Sequence, residues 1–217
     1  MSTFLLFCYG CCFGSLICAT SDRYARHESP YFPRSHCDTC QMPLRPWQLI
    51  PILSYLYQRG HCHTCGAVIP LQVLVVEVAG GWLATTITGP ATLLAVAWLY
   101  LWTYAALCDA ATQTFPGIIS WLSLPVLFWS AGPLVWGLGA LWLLGIHFIW
   151  LHLSRPLIGD GDLEFIGLYA LAFGVQTTAW WLLTACLLAL LHHRQFSGRI
   201  ALLPYLTISA LGWWLWS

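Results

Sequence analysis

Charge is what this chain has least of. Only 7% of its 217 residues are charged, and lysine is absent altogether, whereas an ordinary soluble domain carries about 25% charged residues. That excludes a soluble globular fold, whose surface could not be covered. Residues 1–21, 78–108, 110–154, 165–191 and 200–217 contain no Asp, Glu, Lys or Arg, and about 20 mostly apolar residues suffice for a helical span. The short alternating segments of a transmembrane β-barrel are missing too. No HExxH pair and no Ser/His/Asp set in a polar position occurs, which argues against a zinc-helix protease or a serine hydrolase. No basic patch is interleaved with surface aromatics, so nucleic-acid binding has no support.

What is present is apolar: 59% hydrophobic residues and a mean hydropathy of +0.72. The chain reads as an all-α polytopic membrane protein of about eight transmembrane helices. A first helix over 1–20 leads into a polar segment, 21–70, and the remainder, 71–217, forms a transmembrane domain. Five of the eight arginines (Arg23, Arg26, Arg34, Arg45, Arg59) lie in the polar segment, which the positive-inside rule makes cytoplasmic. The first span, 3–20, has no positive n-region and no small-x-small cleavage site, so it is expected to be retained with its N-terminus outside. Apolar runs follow at 71–88 and 91–108, then the block 117–152, long enough for two spans with Gly132-Pro133 at the turn. Between 163 and 192 a hairpin turning at Gln176-Thr177-Thr178 returns His192-His193-Arg194 to the inside; one long tilted helix is the alternative. A last span runs from about 200 to 216. The 14 tryptophans suit interfacial belts and contact with membrane lipids.

Cys37-x-x-Cys40 and Cys62-x-x-Cys65 are two identical pairs separated by 21 residues. That spacing fits a tetrahedral all-thiolate site, each pair giving two ligands from one tight turn. In a reducing compartment structural zinc is expected rather than disulfides, and it would give a polar segment with little core a reason to fold. Redox-active thiols and a metal-free segment are the other readings. His36, His61 and His63 adjoin these cysteines and read as loop residues beside a complete ligand set.

Two acids interrupt the apolar remainder: Asp109, and the group within Gly159-Asp160-Gly161-Asp162. An ionisable residue bordering a span is costly and is a functional-site hypothesis by default, with an interface anchor as the plain alternative. Counting passes puts Asp109 and Asp162 on the same side as the arginines. Gly159 and Gly161 allow close backbone approach. Two carboxylates in contact share one proton, and such a pair suits peptide hydrolysis, with one member as base and the other as acid.

With these pieces placed, the chain resembles the prepilin peptidases, the type IV leader-peptidase family of GxGD membrane aspartic proteases. The matching residues run in order: Gly14-Ser15, the two cysteine pairs, the connector Leu49-Ile50-Pro51-Ile52-Leu53-Ser54-Tyr55-Leu56, Glu77 before Gly80-Gly81, Asp109 with Phe115-Pro116, Gly159-Asp160-Gly161-Asp162, and Pro204-Tyr205-Leu206. By its length the chain looks most like the compact, competence-associated members. The resemblance implies cleavage of a short basic leader from prepilins or pseudopilins at the cytoplasmic membrane face, with the substrate's hydrophobic helix alongside the spans. It makes Asp109 and Asp162 the catalytic acids and Asp160 the variable position. Many members also methylate the new N-terminus using S-adenosylmethionine; that cofactor is implied only where the activity is present, and the cysteines do not decide it. For Glu77 the family parallel suggests methyl transfer or orientation of the polar cavity, against partnership with an arginine.

The chain departs from the family pattern in three places. Glu164 stands where many members have lysine, either as a solvated loop acid or as added negative potential beside the aspartates. The stretch between Asp162 and Pro204 is short, and Ala201-Leu202-Leu203 replaces a usual Ile-Pro-Phe-Gly-like run. A zinc-clipped inactive scaffold would explain the cysteines but not two lone acids on one face. A cation transporter using the same acids would need internal repeats, which the chain lacks by eye.

Overall fold

The computed structural model describes residues 3–127, 133–152, 159–193 and 201–216. Its architecture is helical throughout: α1 Thr3–Ala25, a 3-10 turn at Pro46–Leu49, α2 Leu53–Tyr57, α3 Leu71–Thr85, α4 Pro90–Thr112, α5 Ile118–Leu127, α6 Pro133–His152, α7 Asp160–Phe173, α8 Val175–His193 and α9 Leu203–Trp216. These helices divide into two compact units, Met1–Val96 and Ala97–Ser217, with the boundary inside α4. Gly132, Arg155-Pro156 and Arg194, named above as turn and charge markers, lie outside the described residues.

The first unit is built on α1 and α3, which pack antiparallel through small residues. A Cβ on Gly10 would collide with the Gly80 carbonyl, and one on Gly14 would lie 2.6 Å from the Val76 carbonyl. Close backbone approach of this kind supplies the dispersion contact that drives helix association in lipid, where apolar burial alone does not. The helix expected over 3–20 continues to Ala25. Its end is secured by Arg23, a buried side chain whose guanidinium donates to the carbonyls of Ser29 (2.9 Å) and Pro33 (2.5 Å).

In the second unit an aromatic stack joins α4, α7 and α8. Trp102 of α4 meets Phe165 of α7 at 4.6 Å between ring centroids, while Trp98, one turn earlier, meets Phe173, two turns later, at 6.0 Å. Position falls along one helix as it rises along the other, so α4 and α7 are antiparallel. Tyr169 of α7 stacks on Trp181 of α8 at 4.1 Å, closing the expected hairpin. Its break falls at Gly174 (φ +83), a left-handed position glycine takes without steric cost. Gln176-Thr177-Thr178 instead form the first turn of α8, with the Thr178 hydroxyl donating to the Gly174 carbonyl at 2.8 Å. Leu124, Leu143 and Leu168 make a small core where α5, α6 and α7 meet, and the Trp181 indole donates to the Leu206 carbonyl of α9 at 2.9 Å.

Eight apolar helices, α1 and α3 to α9, are present among the described residues. Three of them, Thr3–Ala25, Pro90–Thr112 and Val175–His192, are long and apolar enough to cross a membrane by themselves. The protein is thus helical and polytopic. Of the other five, α6 has 20 residues and α3, α5, α7 and α9 have 10 to 15, so length does not fix the expected count of eight spans.

Candidate functional site

The cysteine pairs fold as two copies of one knuckle. In the first, the Cys37 N–H donates to the Met42 carbonyl (3.0 Å) and the Gln41 N–H to the Cys37 carbonyl (2.8 Å); in the second, Cys62 donates to Ala67 (2.7 Å) and Gly66 to Cys62 (2.9 Å). Gln41 and Gly66 occupy the same left-handed position, at φ 57 and 73. The turns bring all four sulfurs within 4.8 Å of one another. Cys37 Sγ and Cys65 Sγ are 3.8 Å apart, close to the edge of a tetrahedron with zinc–sulfur bonds of about 2.3 Å. The backbone N–H groups of Cys65 and Thr64 pull the Cys62 thiol down to about 6, favouring the thiolate that a metal requires. Cys37, Cys40, Cys62 and Cys65 thus form a structural zinc-binding site. His36 and His61 turn their Nδ1 atoms to the carbonyls of Arg34 (2.9 Å) and Arg59 (2.7 Å), and His63 packs edge-on against Trp47.

Glu77 is buried on α3, and its Oε2 accepts the backbone N–H of Ile52 at 2.6 Å. The partner is therefore the connector between the two knuckles. Sequence reasoning had no means of finding Ile52, because a main-chain donor leaves no trace in residue identity.

Asp109 lies in the last turn of α4, which runs past the expected end at Cys108 to Thr112. Its carboxylate interacts with the backbone amide of Leu203, the first residue of α9. Asp162 sits in the first turn of α7, with Gly159 as the flanking cap residue. Asp109 is seven residues beyond Trp102, on the same helical face, and Asp162 is three residues before Phe165, again on the same face. Since Trp102 and Phe165 touch, both aspartates are borne on the facing sides of the α4–α7 pair. At about 1.5 Å per residue Asp109 lies about 10 Å beyond Trp102, and Asp162 about 4.5 Å beyond Phe165, in one direction. Both thus occupy one end of the pair.

Each glycine of the motif has a steric reason. A Cβ on Gly161 would overlap the ring of Phe115, and one on Gly159 would come within 3.2 Å of Asp162 Oδ2. Phe115, from the turn after α4, also meets Phe165 edge-to-face at 5.4 Å. The segment following Asp109 is thereby packed onto the first turn of α7, which carries Asp162.

Glu164 belongs to α7 rather than to a loop. It is two residues, about 200°, around the helix from Asp162, and its Oε2 accepts the hydroxyl of buried Ser120 on α5 at 2.5 Å. The side chain of Asp160 lies outside the described residues. Two further partners went unanticipated: Ser120, and the pair His192–Tyr205, whose ring nitrogen and hydroxyl are hydrogen-bonded at the start of α9. Tyr205 follows Pro204, so the Pro204-Tyr205-Leu206 motif was the available signal.

Residues 8–89 match the family model described as Bacterial Peptidase A24 N-terminal domain. A prepilin leader peptidase/N-methyltransferase of Bacillus subtilis is 30% identical over 190 residues, covering 81% of this chain and 75% of the relative. One of Neisseria gonorrhoeae is 29% identical over 227 residues, 84% of this chain and 76% of the relative. One of Dichelobacter nodosus is 34% identical over 102 residues, 44% of this chain and 34% of the relative. No solved structure matches the chain.

Proposed function

This chain belongs to the prepilin leader peptidase family, and from that premise we propose that it is a membrane aspartic endopeptidase of the GxGD kind, compact like the competence-associated members. Its substrates are type IV prepilins or pseudopilins, whose basic leaders it removes at the cytoplasmic face of the bacterial inner membrane. Asp109 and Asp162 are the catalytic pair; Gly159, Gly161 and, less directly, Asp160, Glu164 and Glu77 support it.

The observation that carries this reading is the antiparallel seating of α4 on α7 through Trp102 and Phe165, which bears both aspartates at one helix end. In the chemistry the two carboxyl groups hold a single proton between them. The ionised member takes a proton from water as the water oxygen bonds to the scissile carbonyl carbon. The protonated member gives its proton to the carbonyl oxygen. When the tetrahedral adduct collapses, the C–N bond breaks, the first member protonates the leaving nitrogen, and one hydroxyl of the adduct returns its proton to the second member as the new carboxyl group forms, which restores the pair. The zinc site takes no step in this sequence; its four thiolates hold the polar segment folded.

Methylation is a separate activity, named in the relatives' descriptions. It requires S-adenosylmethionine as methyl donor. The test is to incubate the purified protein with prepilins in lipid, with and without that donor, and to read product masses. Loss of the leader mass is the expected result, and an additional 14 Da (about one methyl for hydrogen) marks methylation. An unchanged prepilin with well-folded protein would overturn the peptidase reading.

A further inference from the structure

The connector between the knuckles carries an apolar surface that the peptidase reading does not use. Leu49, Ile50, Leu53, Leu56 and Tyr57 are 46 to 76% exposed, within a stretch bounded by Arg45 and Arg59. Clusters of this kind on a protein surface mark a binding face. What covers this one follows from its depth.

Glu77 lies six residues into α3, about 9 Å along the axis, and its side chain leans back toward the helix N-terminus. The Ile52 N–H that it holds at 2.6 Å is therefore roughly one turn inside the helix end. Leu49, Ser54 and Tyr55 line a cavity of about 260 Å³ together with Ser15 and Cys18 of α1 and Val73 and Glu77 of α3. The connector thus runs beside the apolar helices, not above them. Leu71 and Val75 of α3 are themselves 62 and 57% exposed, so they extend the apolar surface along the helix.

Non-helical backbone at that depth is tolerated only if its polar groups find partners. Here they do. Pro51 has no N–H; that of Ile52 goes to Glu77, that of Leu53 to the Pro51 carbonyl (2.6 Å) and that of Ser54 to the Ile50 carbonyl (3.0 Å). Ile52 takes φ 61, ψ −55, a strained γ-turn for a β-branched residue, and strain of this kind persists only where the surroundings hold it in place. Trp47 and Tyr57 pair edge-to-face at 5.4 Å, as amphipathic rings do at a headgroup boundary.

We infer that the connector from Leu49 to Tyr57 is a re-entrant wedge, seated in the bilayer at the boundary between headgroups and acyl chains. Leu49, Ile50, Leu53, Leu56 and Tyr57 face lipid, and Glu77 supplies an acceptor to the immersed backbone at Ile52. Arg45 and Arg59 flank the wedge at the level of anionic headgroups. This inference is independent of the peptidase reading.

The test uses the full chain in phosphatidylglycerol–phosphatidylethanolamine vesicles. A nitroxide is attached through a genetically encoded ketone residue at position 53 or 56, and at Tyr31 for comparison; the ten cysteines preclude thiol labelling. Spin-label collision rates with oxygen and with a water-soluble nickel chelate give depth. The expected result is a several-fold higher oxygen-to-nickel ratio at 53 and 56 than at 31, corresponding to about 5–10 Å of immersion. Equal nickel access at all three positions would overturn the inference. So would nickel access at 53 that disappears only when a prepilin-like peptide is added, which would make this face a substrate dock. Glu77→Ala is expected to move the label at 53 toward water, whereas Glu77→Gln, which keeps an acceptor, holds it in place. Unchanged depth in folded Glu77→Ala would refute the role given to Glu77.

Discussion

The carboxylate of Asp109 lies beside the start of α9, within electrostatic reach of the backbone N–H of Leu203, the first residue of that helix. Pro204 follows and has no N–H to offer, so Leu203 presents one of the few donors free at this helix end. An acid at the end of one helix is thus oriented by the beginning of another, far along the chain. The consequence for substitution is specific. Asn at position 109 keeps an oxygen for Leu203 but cannot take a proton from water.

Asp109→Asn and Asp162→Asn are therefore each expected to lower leader cleavage by about 10²–10⁴-fold, with normal protein levels in the membrane. Asp160→Asn and Glu164→Gln should be far milder, the second because Gln still accepts from Ser120. Product masses from membranes carrying each variant provide the check. Normal turnover by Asp109→Asn would defeat the shared-proton mechanism.

The glycine at 161 makes room for Phe115. Gly161→Ala is expected to destabilise by about 1–3 kcal/mol, an overpacking cost, and to reduce cleavage because the turn after Asp109 shifts. Phe115→Ala in the same molecule removes the collision, so the double variant should be less impaired than the two single losses combined predict. Thermal unfolding in detergent and cleavage rates on the four proteins complete the cycle. Simple additivity would mean that the two residues do not interact.

Tyr205 and His192 hold the start of α9, and through Leu203 they position Asp109. Tyr205→Phe removes the hydroxyl bonded to the imidazole. The expected result is a kcat about 2–5-fold lower, the scale of one modest hydrogen bond, with KM unchanged. His192→Gln, which retains hydrogen-bonding groups, should recover more rate than His192→Ala. A matching fall in both Gln and Ala variants would assign the pair to packing alone.

The knuckles predict one zinc ion per chain, lost in Cys37→Ser or Cys62→Ser together with protease resistance of the segment from 34 to 70. Metal analysis and limited proteolysis read both effects. Gln41 occupies a left-handed position where its counterpart is Gly66. Gln41→Gly should then stabilise the segment by about 1 kcal/mol, and Gly66→Val should do the opposite.

Much of this was legible in residue order because local chemistry determines it. Paired cysteines two residues apart make a knuckle almost regardless of context, and long uncharged runs become apolar helices. The α7–α8 hairpin was legible too, but its turn was placed on three polar residues when the actual break uses Gly174, the one residue there suited to positive φ. Glu164 looked like a neighbour of Asp162 because they are two apart in sequence; on a helix that separation points them opposite ways, and Ser120 takes up the carboxylate. The partner of Glu77 was beyond reach, being a main-chain group made available by an unusual turn. Apolarity by itself does not fix the number of spans, since four of the eight helices, α3, α5, α7 and α9, have only 10 to 15 residues.

The ring stack between α4, α7 and α8 gives the molecule an optical signature. Trp98 and Trp102 lie 4.1 Å apart and Tyr169 lies 4.1 Å from Trp181, distances at which transition dipoles couple. A paired positive and negative band in circular dichroism near the indole absorption should therefore accompany the seated arrangement. Its collapse on warming would time the parting of α7 from α8 at the Tyr169–Trp181 stack, without a probe and without a substrate.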